Sequence, residues 1–263
     1  EFPDTGQFNE EKHHVVAAKM LKELIRRTIF ATDSESSRYA LGGVLLEFGE
    51  DAITAVGTDG RRLAKMVGEA KSVAGHLSTA ESTTIVPARA MQLLERAIPD
   101  DDSEIKLAAT SNELKMHAPN ITLVSRLVEG RFPKWQEVLV ERPDAKQIQV
   151  TVGPLYAAVR QASIVASEES RGIDFCFGNG SLVMSSTTSE VGESRVELPI
   201  PYEGDEITVS LDHRFVSDFL KVLGGDKSAT LAVKDDENPA EFSTDDGYTY
   251  VVMPMARDGA KKG

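Results

Sequence analysis

Apolar residues recur with helical spacing in four stretches of the chain. In residues 15–32, Leu21, Leu24 and Ile25 belong to one i, i+4 stripe, while basic side chains occupy much of the remaining surface. Such a stripe is typical of an amphipathic helix that packs on one face. The same spacing predicts three further helices, at 88–98, 154–166 and 213–223.

Short alternating or apolar runs fill the segments between these helices and predict β-strands. Polar turn formers such as Gly49-Glu-Asp51 and Thr58-Asp-Gly60 separate the runs, and the links are short enough for antiparallel hairpins. The predicted strands are 40–48, 52–57, 63–67, 83–86, 105–109, 113–117, 121–127, 172–177, 182–187, 193–198, 207–211, 229–234, 240–243 and 248–253.

The order of a helix followed by strands repeats along the chain. Arg38 follows the turn after the first helix, and Arg171 follows the corresponding turn after the third, in similar local sequences. We therefore expect two homologous domains, each made of two similar halves. The predicted fold class is α+β, with two duplicated domains, antiparallel sheets and two helices per domain on one side. The predicted limits are a flexible segment 1–12, domains 13–138 and 139–257, and a mobile tail 258–263.

The charge of the chain is unevenly distributed. The 263 residues carry a formal net charge of −13, yet the four predicted helices sum to +6 and the rest of the chain to −19. Such a field could hold a polyanion against the helices and repel it elsewhere. Basic residues on ordinary solvated helix faces explain the same count equally well.

Composition excludes several classes of protein. The chain is long enough, and with 41% hydrophobic residues apolar enough, to bury a core. Its single cysteine, Cys176, cannot form an internal disulfide. No apolar run approaches the ~20 residues that cross a bilayer, and no signal peptide is present, so we expect a cytoplasmic protein without a membrane partner. Because the chain begins at Glu1 in a polar stretch, we interpret it as a fragment of a longer protein.

The sequence lacks the usual motifs of catalysis and cofactor binding. There is no phosphate-binding loop, no zinc-protease motif and no nucleophile elbow, and the five histidines lack metal-ligand spacing. The acidic clusters 100–102, 235–237 and 245–246 could chelate a cation, but they lie in predicted loops where charged residues are expected. We therefore predict no catalytic residue, no metal site and no cofactor.

Three segments together resemble the DNA polymerase III beta subunit family, the bacterial replicative sliding clamps. They are Thr58-Asp-Gly-Arg-Arg-Leu-Ala64, Leu127-Val-Glu-Gly-Arg-Phe-Pro133 and Tyr250-Val-Val-Met-Pro-Met255. The resemblance covers about residues 15–257 and corresponds to the second and third domains of the family. It implies a head-to-tail homodimer closed into a ring around duplex DNA, with helices lining the hole and sheets outside.

Basic residues of the predicted helices are the candidates for contact with DNA in such a ring. Phosphate contacts position a protein without reading bases, so the binding would be independent of sequence. We expect about half of these residues to face the DNA, given how weakly charge patterning fixes orientation. The candidates are Lys19, Lys22, Arg26, Arg27, Arg89, Arg96, Arg160, Arg214 and Lys221. Arg38 and Tyr39 match the family's DNA-contacting loop, although Tyr39 could instead pack in the core.

The resemblance also implies a hydrophobic pocket for short partner peptides. The matching residues are Leu41, Thr58, Gly60, Arg61, Arg62, Leu63, Pro133, Val138, Phe215, Val251, Val252, Met253, Pro254 and Met255. Gly60 would permit a tight turn that exposes Arg62 and Leu63. Alternate residues of 251–253 could instead belong to a core strand. Ser170 and Glu137 depart from the aromatic and basic residues often found at the pocket rim.

The function implied by this family is that of a noncatalytic processivity factor. As a subunit of a DNA-directed DNA polymerase (nucleotidyltransferase) holoenzyme, it would tether polymerase III, the clamp loader and repair polymerases to duplex DNA. One alternative is a protein-binding adaptor that does not encircle DNA. Another is an α+β enzyme whose acidic loops hold a metal ion.

Overall fold

The computed structural model describes residues 8–33, 35, 40–79, 83–119, 121–140, 142–166, 171–188 and 192–256. The chain divides into two compact units, Glu1–Val138 with Asp246–Tyr248, and Leu139–Asp245 with Thr249–Gly263. The main division between the units falls between residues 138 and 139. Arg38, Tyr39, Ser170 and the predicted tail 258–263 lie outside the described residues.

The first unit contains two helices, α1 (Ala18–Ile29) and α2 (Ala88–Ala97). Its strands are β1 (His13–Ala17), β2 (Gly43–Phe48), β3 (Ala52–Thr58), β4 (Arg62–Glu69), β5 (Lys71–Val73), β6 (Thr84–Pro87), β7 (Glu104–Ala109), β8 (Glu113–Ala118) and β9 (Ile121–Arg126). One sheet has the order β5-β1-β7-β8-β9, and the second contains β4-β3-β2-β6. A short 3-10 helix follows at Trp135–Glu137.

The second unit repeats this plan with α3 (Val152–Ala162) and α4 (His213–Lys221). Its strands are β10 (Lys146–Thr151), β11 (Gly172–Gly178), β12 (Ser181–Thr188), β13 (Gly192–Pro199), β14 (Ile207–Asp212), β15 (Ser228–Val233), β16 (Ala240–Ser243) and β17 (Tyr248–Val252). One sheet has the order β13-β12-β11-β14, and the other contains β10-β15-β16-β17.

Each helix directly follows a strand, and that strand pairs with the opposite half of its unit. In the first unit β1 pairs with β7, placing His14 opposite Leu107, and β6 pairs with β2, placing Val86 opposite Val44. In the second unit β10 pairs with β15 and β14 pairs with β11. The two halves of each unit therefore exchange their first strands and are joined by backbone hydrogen bonds.

This arrangement confirms the predicted fold class. All strand pairs recorded among the described residues are antiparallel, and each unit carries two adjacent helices on its sheets. In the first unit α1 packs on β3, β4 and α2, and in the second α3 packs on β12, β13 and α4. The fourfold repetition inferred from the sequence is present as strand, helix and following strands.

Three strands were missed in the sequence, and the limits of two helices, the first and the third, were wrong. The predicted first helix began at residue 15, but His13–Ala17 is strand β1, because Val16 is buried in its ladder with β7. Strand β10 was missed even though exposed Gln147 and Gln149 alternate with buried Ile148 and Val150 as in a half-buried strand. The third edge strand, β5, is only three residues long. The third helix spans residues 152–162 and ends in a 3-10 turn.

The apolar stripe of α1 forms much of the core of the first unit. Leu21, Leu24 and Ile25 are essentially inaccessible to solvent. The helix lies so close to β3 that a Cβ atom at Gly57 would collide with the carbonyl oxygen of Thr28. Glycine at this position therefore permits close helix-sheet contact.

Aromatic rings form the corresponding core of the second unit. The rings of Phe219 and Tyr250 stack with centroids 5.3 Å apart, and Phe242 lies 4.9 Å from Phe219. The Tyr250 hydroxyl donates a hydrogen bond of 3.0 Å to the carbonyl oxygen of Phe215. The buried hydroxyl is thus satisfied by α4, which fixes that helix against β17.

We predict that Leu24→Ala lowers the free energy of unfolding of the first unit by about 2–5 kcal/mol, because it removes a buried side chain and leaves a cavity. Trp135 is the single tryptophan and lies in this unit, where its Nε1 donates to Glu47. Its fluorescence during urea unfolding therefore reports on the unit that contains the substitution.

Leu93→Ala is the matched control for this prediction. Leu93 lies on α2 but is 54% exposed, so its truncation should change stability by less than about 0.5 kcal/mol. If Leu24→Ala and Leu93→Ala lowered the free energy of unfolding equally, the assignment of the buried face of the first unit would be contradicted.

Candidate functional site

The basic residues of α1 are paired with carboxylates inside the first unit. Lys19 Nζ lies 3.3 Å from Asp102 Oδ2, and Lys22 Nζ lies 3.7 Å from Asp100 Oδ1. Lys22 is almost fully buried, so little of its charge reaches solvent. Residues 100–102, which the sequence placed in a loop after α2, therefore act as counterions for α1.

Arg26 is also paired, but with the neighbouring helix α2. Its Nε donates a hydrogen bond of 2.7 Å to Glu95 Oε1. This hydrogen bond, together with attraction to nearby carboxylates, raises the pKa of Arg26 despite partial burial. The pair joins the two helices of the unit across their exposed surface.

Arg27 is a structural residue, contrary to its prediction as a DNA contact. Only 8% of it is exposed, and its guanidinium donates to Glu23 Oε2 at 2.8 Å and to Asp246 Oδ2 at 2.7 Å. The guanidinium carbon also lies 5.3 Å from the centroid of the Tyr248 ring. A cation enclosed in this way is unavailable to a phosphate, so we withdraw Arg27 from the DNA-contacting set.

Helix α2 presents its basic residues differently. Arg89 and Arg96 are both exposed, and neither forms an ion pair with another residue of the described part of the chain. Together with Leu93, they occupy positions i, i+4 and i+7 of one helix face. The available positive charge of the first unit's helices therefore lies on α2 rather than on α1.

The basic residues of the second unit have three different environments. Arg160 is exposed on α3, with its guanidinium 5.9 Å from the ring centroid of Tyr156. Lys221 is exposed on α4 and lies 3.3 Å from Asp218. Arg214 binds Asp212 through Nε at 3.0 Å and through Nη2 at 2.6 Å, so its charge is largely matched locally.

Asp212 explains why Arg214 occupies this position. Its carboxylate also accepts the backbone N–H of Arg214 at 2.9 Å and thereby caps the first turn of α4. Burial disfavours the charged carboxylate, but the hydrogen bonds from Arg214 outweigh that effect and lower the pKa of Asp212. Arg214 is thus primarily a partner of the helix cap.

The residues predicted for the peptide pocket form two groups, one in each unit. In the first unit, the turn between β3 and β4 is closed by its own side chains. Thr58 Oγ1 donates to the carbonyl oxygen of Arg62 at 2.6 Å, and Asp59 Oδ1 accepts the backbone N–H groups of Arg61 and Arg62. Gly60 takes a φ of 86°, which favours glycine. The turn is therefore rigid before any partner binds.

Arg62 is held inward by this turn. Its Nε donates to Asp59 Oδ2 at 3.0 Å, and its Nη2 donates to the carbonyl oxygen of Phe30 at 2.7 Å. The sequence predicted that Gly60 would expose Arg62 and Leu63, but Leu63 is only 3% exposed and Arg62 is half-buried. The expectation was wrong because β4 begins at Arg62 and turns Leu63 toward the core. Arg61 is the exposed residue of the turn.

The other first-unit residues of this group differ in exposure. Leu41 and Thr58 are buried, whereas Pro133 and Val138 are half-buried. Glu137, the predicted departure at the rim, is exposed and lies 3.0 Å from Lys134. The negative charge of Glu137 is therefore matched locally by Lys134.

In the second unit, the segment after β17 supplies the accessible apolar groups. Met253 is 41% exposed, while Pro254 and Met255 are half-buried. The backbone N–H of Met255 donates to the carbonyl oxygen of Ser210 at 2.8 Å, which fixes the segment beside β14. Flexible thioethers held at such a surface can adapt to different ligands.

The remaining second-unit residues of this group belong to the core. Val251 and Val252 are buried in β17, and Phe215 is 7% exposed on α4. Val251 and Val252 are therefore residues of a core strand, which was the alternative considered for them. Strand β17 ends at Val252, and Met253 begins the segment that follows it.

Sequence patterns did not identify the residues that position these groups. Asp59 and Phe30 hold Arg62, and Glu95, Asp100 and Asp102 hold the basic side chains of α1. The acidic run 100–102 was the available signal, but its pairing with α1 depends on tertiary proximity.

Within the described part of the chain, no group of three or more His, Cys, Asp or Glu side chains is arranged to hold a metal ion. The helices described here are all too short or too polar to span a membrane.

Comparison with known proteins agrees with the duplicated architecture. Residues 15–134 match the DNA polymerase III beta subunit, central domain, and residues 139–256 match the DNA polymerase III beta subunit, C-terminal domain. Among curated relatives, the beta sliding clamp of Chlamydia pneumoniae is 28% identical over 97% of this chain and 68% of the relative. That of Escherichia coli K12 is 27% identical over the same shares.

Solved structures of sliding clamps are also similar to this chain. The DNA polymerase III subunit beta of Pseudomonas aeruginosa superposes with a TM-score of 0.87 at 27% identity, covering 97% of this chain and 69% of that one. The sliding clamp of Bacillus subtilis, at 23% identity and a TM-score of 0.86, shares the fold. With tandem matches that span nearly all of residues 15–256, the chain belongs to the DNA polymerase III beta subunit family.

Proposed function

We propose that this chain is part of a sliding clamp, a noncatalytic processivity factor for DNA replication. The observation that carries the proposal is the tandem match to the central and C-terminal domains of the family, in that order. A clamp acts by keeping its polymerase near the template, which replaces diffusional rebinding by rebinding at high local concentration. No side chain has to perform chemistry.

In this proposal the polyanion is duplex DNA, bound without sequence preference inside a head-to-tail homodimeric ring. Exposed basic residues on α2, α3 and α4 support it, namely Arg89, Arg96, Arg160 and Lys221. Lys19 and Arg26 are exposed but paired with carboxylates, so their contribution to phosphate binding is smaller. Sparse charge suits a protein that must slide, because strong fixed contacts would hold it in place.

The protein partners in this proposal are the catalytic subunit of polymerase III, the clamp loader and repair polymerases, met in the cytoplasm. Their short peptides would contact the apolar group at Met253, Pro254 and Met255 in the second unit. Apolar anchors supply affinity in such sites, while a preformed surface lowers the entropy cost of binding.

An adaptor that binds peptides but does not encircle DNA is the second candidate. The internal neutralisation of α1 favours it, because the largest cluster of basic residues is not free to bind phosphates. The two candidates differ in whether DNA affinity depends on the basic residues of the helices.

We predict that Arg89→Gln with Arg96→Gln weakens binding to a short duplex at low salt. Each lost phosphate contact should reduce the slope of log affinity against log salt by about 0.9, so the double variant should lose about 2. Binding by the unmodified chain should itself be weak, since only a few basic residues of its described helices are exposed and outside ion pairs. Fluorescence anisotropy over a salt series measures both quantities.

Two control variants separate specific contact from net charge. Lys19→Gln with Asp102→Asn removes an ion pair of α1 without changing net charge and should leave the slope unchanged. Lys12→Gln with Lys71→Gln removes two exposed charges outside the helices and should have a smaller effect than the α2 variant. Equal effects of the α2 and lysine variants would refute the assignment of α2 to DNA.

We predict that Met255→Ala weakens binding of a fluorescent peptide that carries the clamp-binding segment of a polymerase III catalytic subunit. Loss of a central apolar anchor should reduce affinity by about tenfold or more. Met253→Ala should act in the same direction. Leu63 is not a suitable test residue, since its burial means that truncation also destabilises the first unit.

Ile164→Ala is the matched control for the peptide experiment. Ile164 is 77% exposed in the second unit and lies outside the predicted pocket set, so its truncation should change peptide affinity less than about twofold. If Met255→Ala binds the peptide as tightly as this control, the peptide assignment fails.

A further inference from the structure

Two histidines are buried against each other in the first unit, with their ring planes at 64°. Neither belongs to the residues assigned to DNA or peptide. His14 lies on β1, and His76 lies in the segment after β5. Their Nδ1 atoms are 2.7 Å apart, and both rings pack against Phe48. His14 is fully buried and His76 is 7% exposed. Neither side chain was singled out by spacing in the sequence.

The neighbouring backbone groups determine which nitrogen of each ring carries hydrogen. His14 Nε2 lies 2.6 Å from the carbonyl oxygen of Gly49, which can only accept, so Nε2 must donate. The backbone N–H of Ala109 donates to His76 Nε2 at 3.0 Å, so this nitrogen must accept. In two neutral rings, Nδ1 of His76 then carries hydrogen and donates to Nδ1 of His14.

The resulting chain of hydrogen bonds gives every ring nitrogen a partner. It runs from the Ala109 N–H through His76 and His14 to the Gly49 carbonyl oxygen, with the Ala109 carbonyl oxygen 3.4 Å from His76 Nε2 as a more distant acceptor. A further proton turns one accepting nitrogen of this chain into a donor and so breaks one of its bonds. On His14 Nδ1 it would face the N–H of His76, and on His76 Nε2 it would face the N–H of Ala109.

We propose that the His14–His76 pair is a proton-sensitive latch, closed when both rings are neutral and opened by protonation. The latch joins four separate segments, namely strand β1, the β2–β3 turn at Gly49, the segment at His76 and the end of β7 at Ala109. Opening would free the His76 ring from β1 and β7, while the backbone around it stays bonded through Ser72, Val73 and Ser78.

Access to the latch comes from a cleft of about 620 Å³ in the same unit. His76, Phe48 and Ala109 form part of its wall, together with Leu77 and Thr84. Protons can therefore reach His76 from solvent even though its ring is largely covered. His14, behind it, is reached only through His76 or after opening.

The charged groups around the pair do not compensate an added proton. Lys12 and His13 add positive potential near the rings. Glu10 lines the cleft, but its carboxylate lies 2.7 Å from Lys115 Nζ and is already paired. Glu11 also lines the cleft and is exposed. Glu50 and Asp51, which follow Gly49 in sequence, are exposed, and so is Lys71 on the adjacent strand β5. No described carboxylate lies in the hydrogen-bond chain.

The direction of the pH dependence follows from burial. Burial lowers the pKa of both His14 and His76 below that of a free histidine, and for His76 the neighbouring His14 lowers it further. The unfolded chain therefore binds more protons than the folded one at mildly acidic pH. At pH values above the pKa of free histidine, the latch makes its full contribution to the free energy of unfolding of the first unit. That contribution falls as the pH decreases below this pKa.

Nitrogen NMR of the unmodified chain tests the arrangement at neutral pH. We expect His14 protonated at Nε2 only and His76 protonated at Nδ1 only. The opposite tautomers, or two rings that titrate like free histidine, would overturn the proposal. This measurement needs no substitution, so it stands even if a variant at either position does not fold.

Hydrogen exchange of the Ala109 amide tests opening, because that N–H donates directly to His76. Corrected for intrinsic rate, its protection should fall about tenfold or more between about pH 7.5 and about pH 5.0. The Phe175 amide, in the second unit, should keep its protection. Unchanged Ala109 protection would overturn the proposal.

Variants separate this latch from general acid sensitivity. His76→Gln removes the titrating ring and should make Ala109 protection independent of pH over this range. His117→Gln is the control, since His117 is a half-buried histidine of the same unit that bonds Thr122 instead. It should retain the full loss of protection, and loss of the pH response in both variants would contradict the assignment to His76.

Discussion

The exchange of first strands between the two halves of each unit is the constraint on which the rest of the structure depends. Since β1 pairs with β7 and β6 pairs with β2, neither half of the first unit can form its sheet alone. The same exchange joins the halves of the second unit through β10 and β14. Each helix starts where an exchanged strand ends, so backbone hydrogen bonds fix the position of the helices.

The placement of the helices in turn determines which basic residues are available to bind a polyanion. Because α1 and α2 lie side by side, Glu95 and the acidic segment after α2 reach the cations of α1. A surface that appears strongly basic in sequence is therefore close to neutral along α1. The charge left for a polyanion is sparse and lies mainly on α2 and α3, which is compatible with a ring that must move along its DNA.

Much of the fold was predictable because most helices and hairpins show their usual sequence patterns. The helices carry apolar stripes, and hairpins such as β11–β12 carry Asn179-Gly180 at their turn. Strand β1 was not recognised because Val15 and Val16 were assigned to the helix that follows, and β10 was overlooked in the link between the domains. In the folded units their ladders with β7 and β15 make them strands.

The candidate site was predictable in part, and the errors have a common cause. Family resemblance selected the segments of the predicted site, but it did not indicate the direction of individual side chains. Leu63 was expected at the surface and is buried, while Arg27 and Arg62 are held by carboxylates and backbone carbonyls. The His14–His76 pair had no signal at all, because residues 62 positions apart meet only in the folded unit.

Retention on DNA of different topology is the most direct test of clamp function. The full-length subunit that carries this sequence would be loaded onto closed circular DNA, and its residence would be followed before and after the circle is cut. Our account predicts stable retention on the circle and rapid loss from the ends once it is linear. Equal retention on both forms would show that the protein grips DNA rather than encircling it, and would contradict the account.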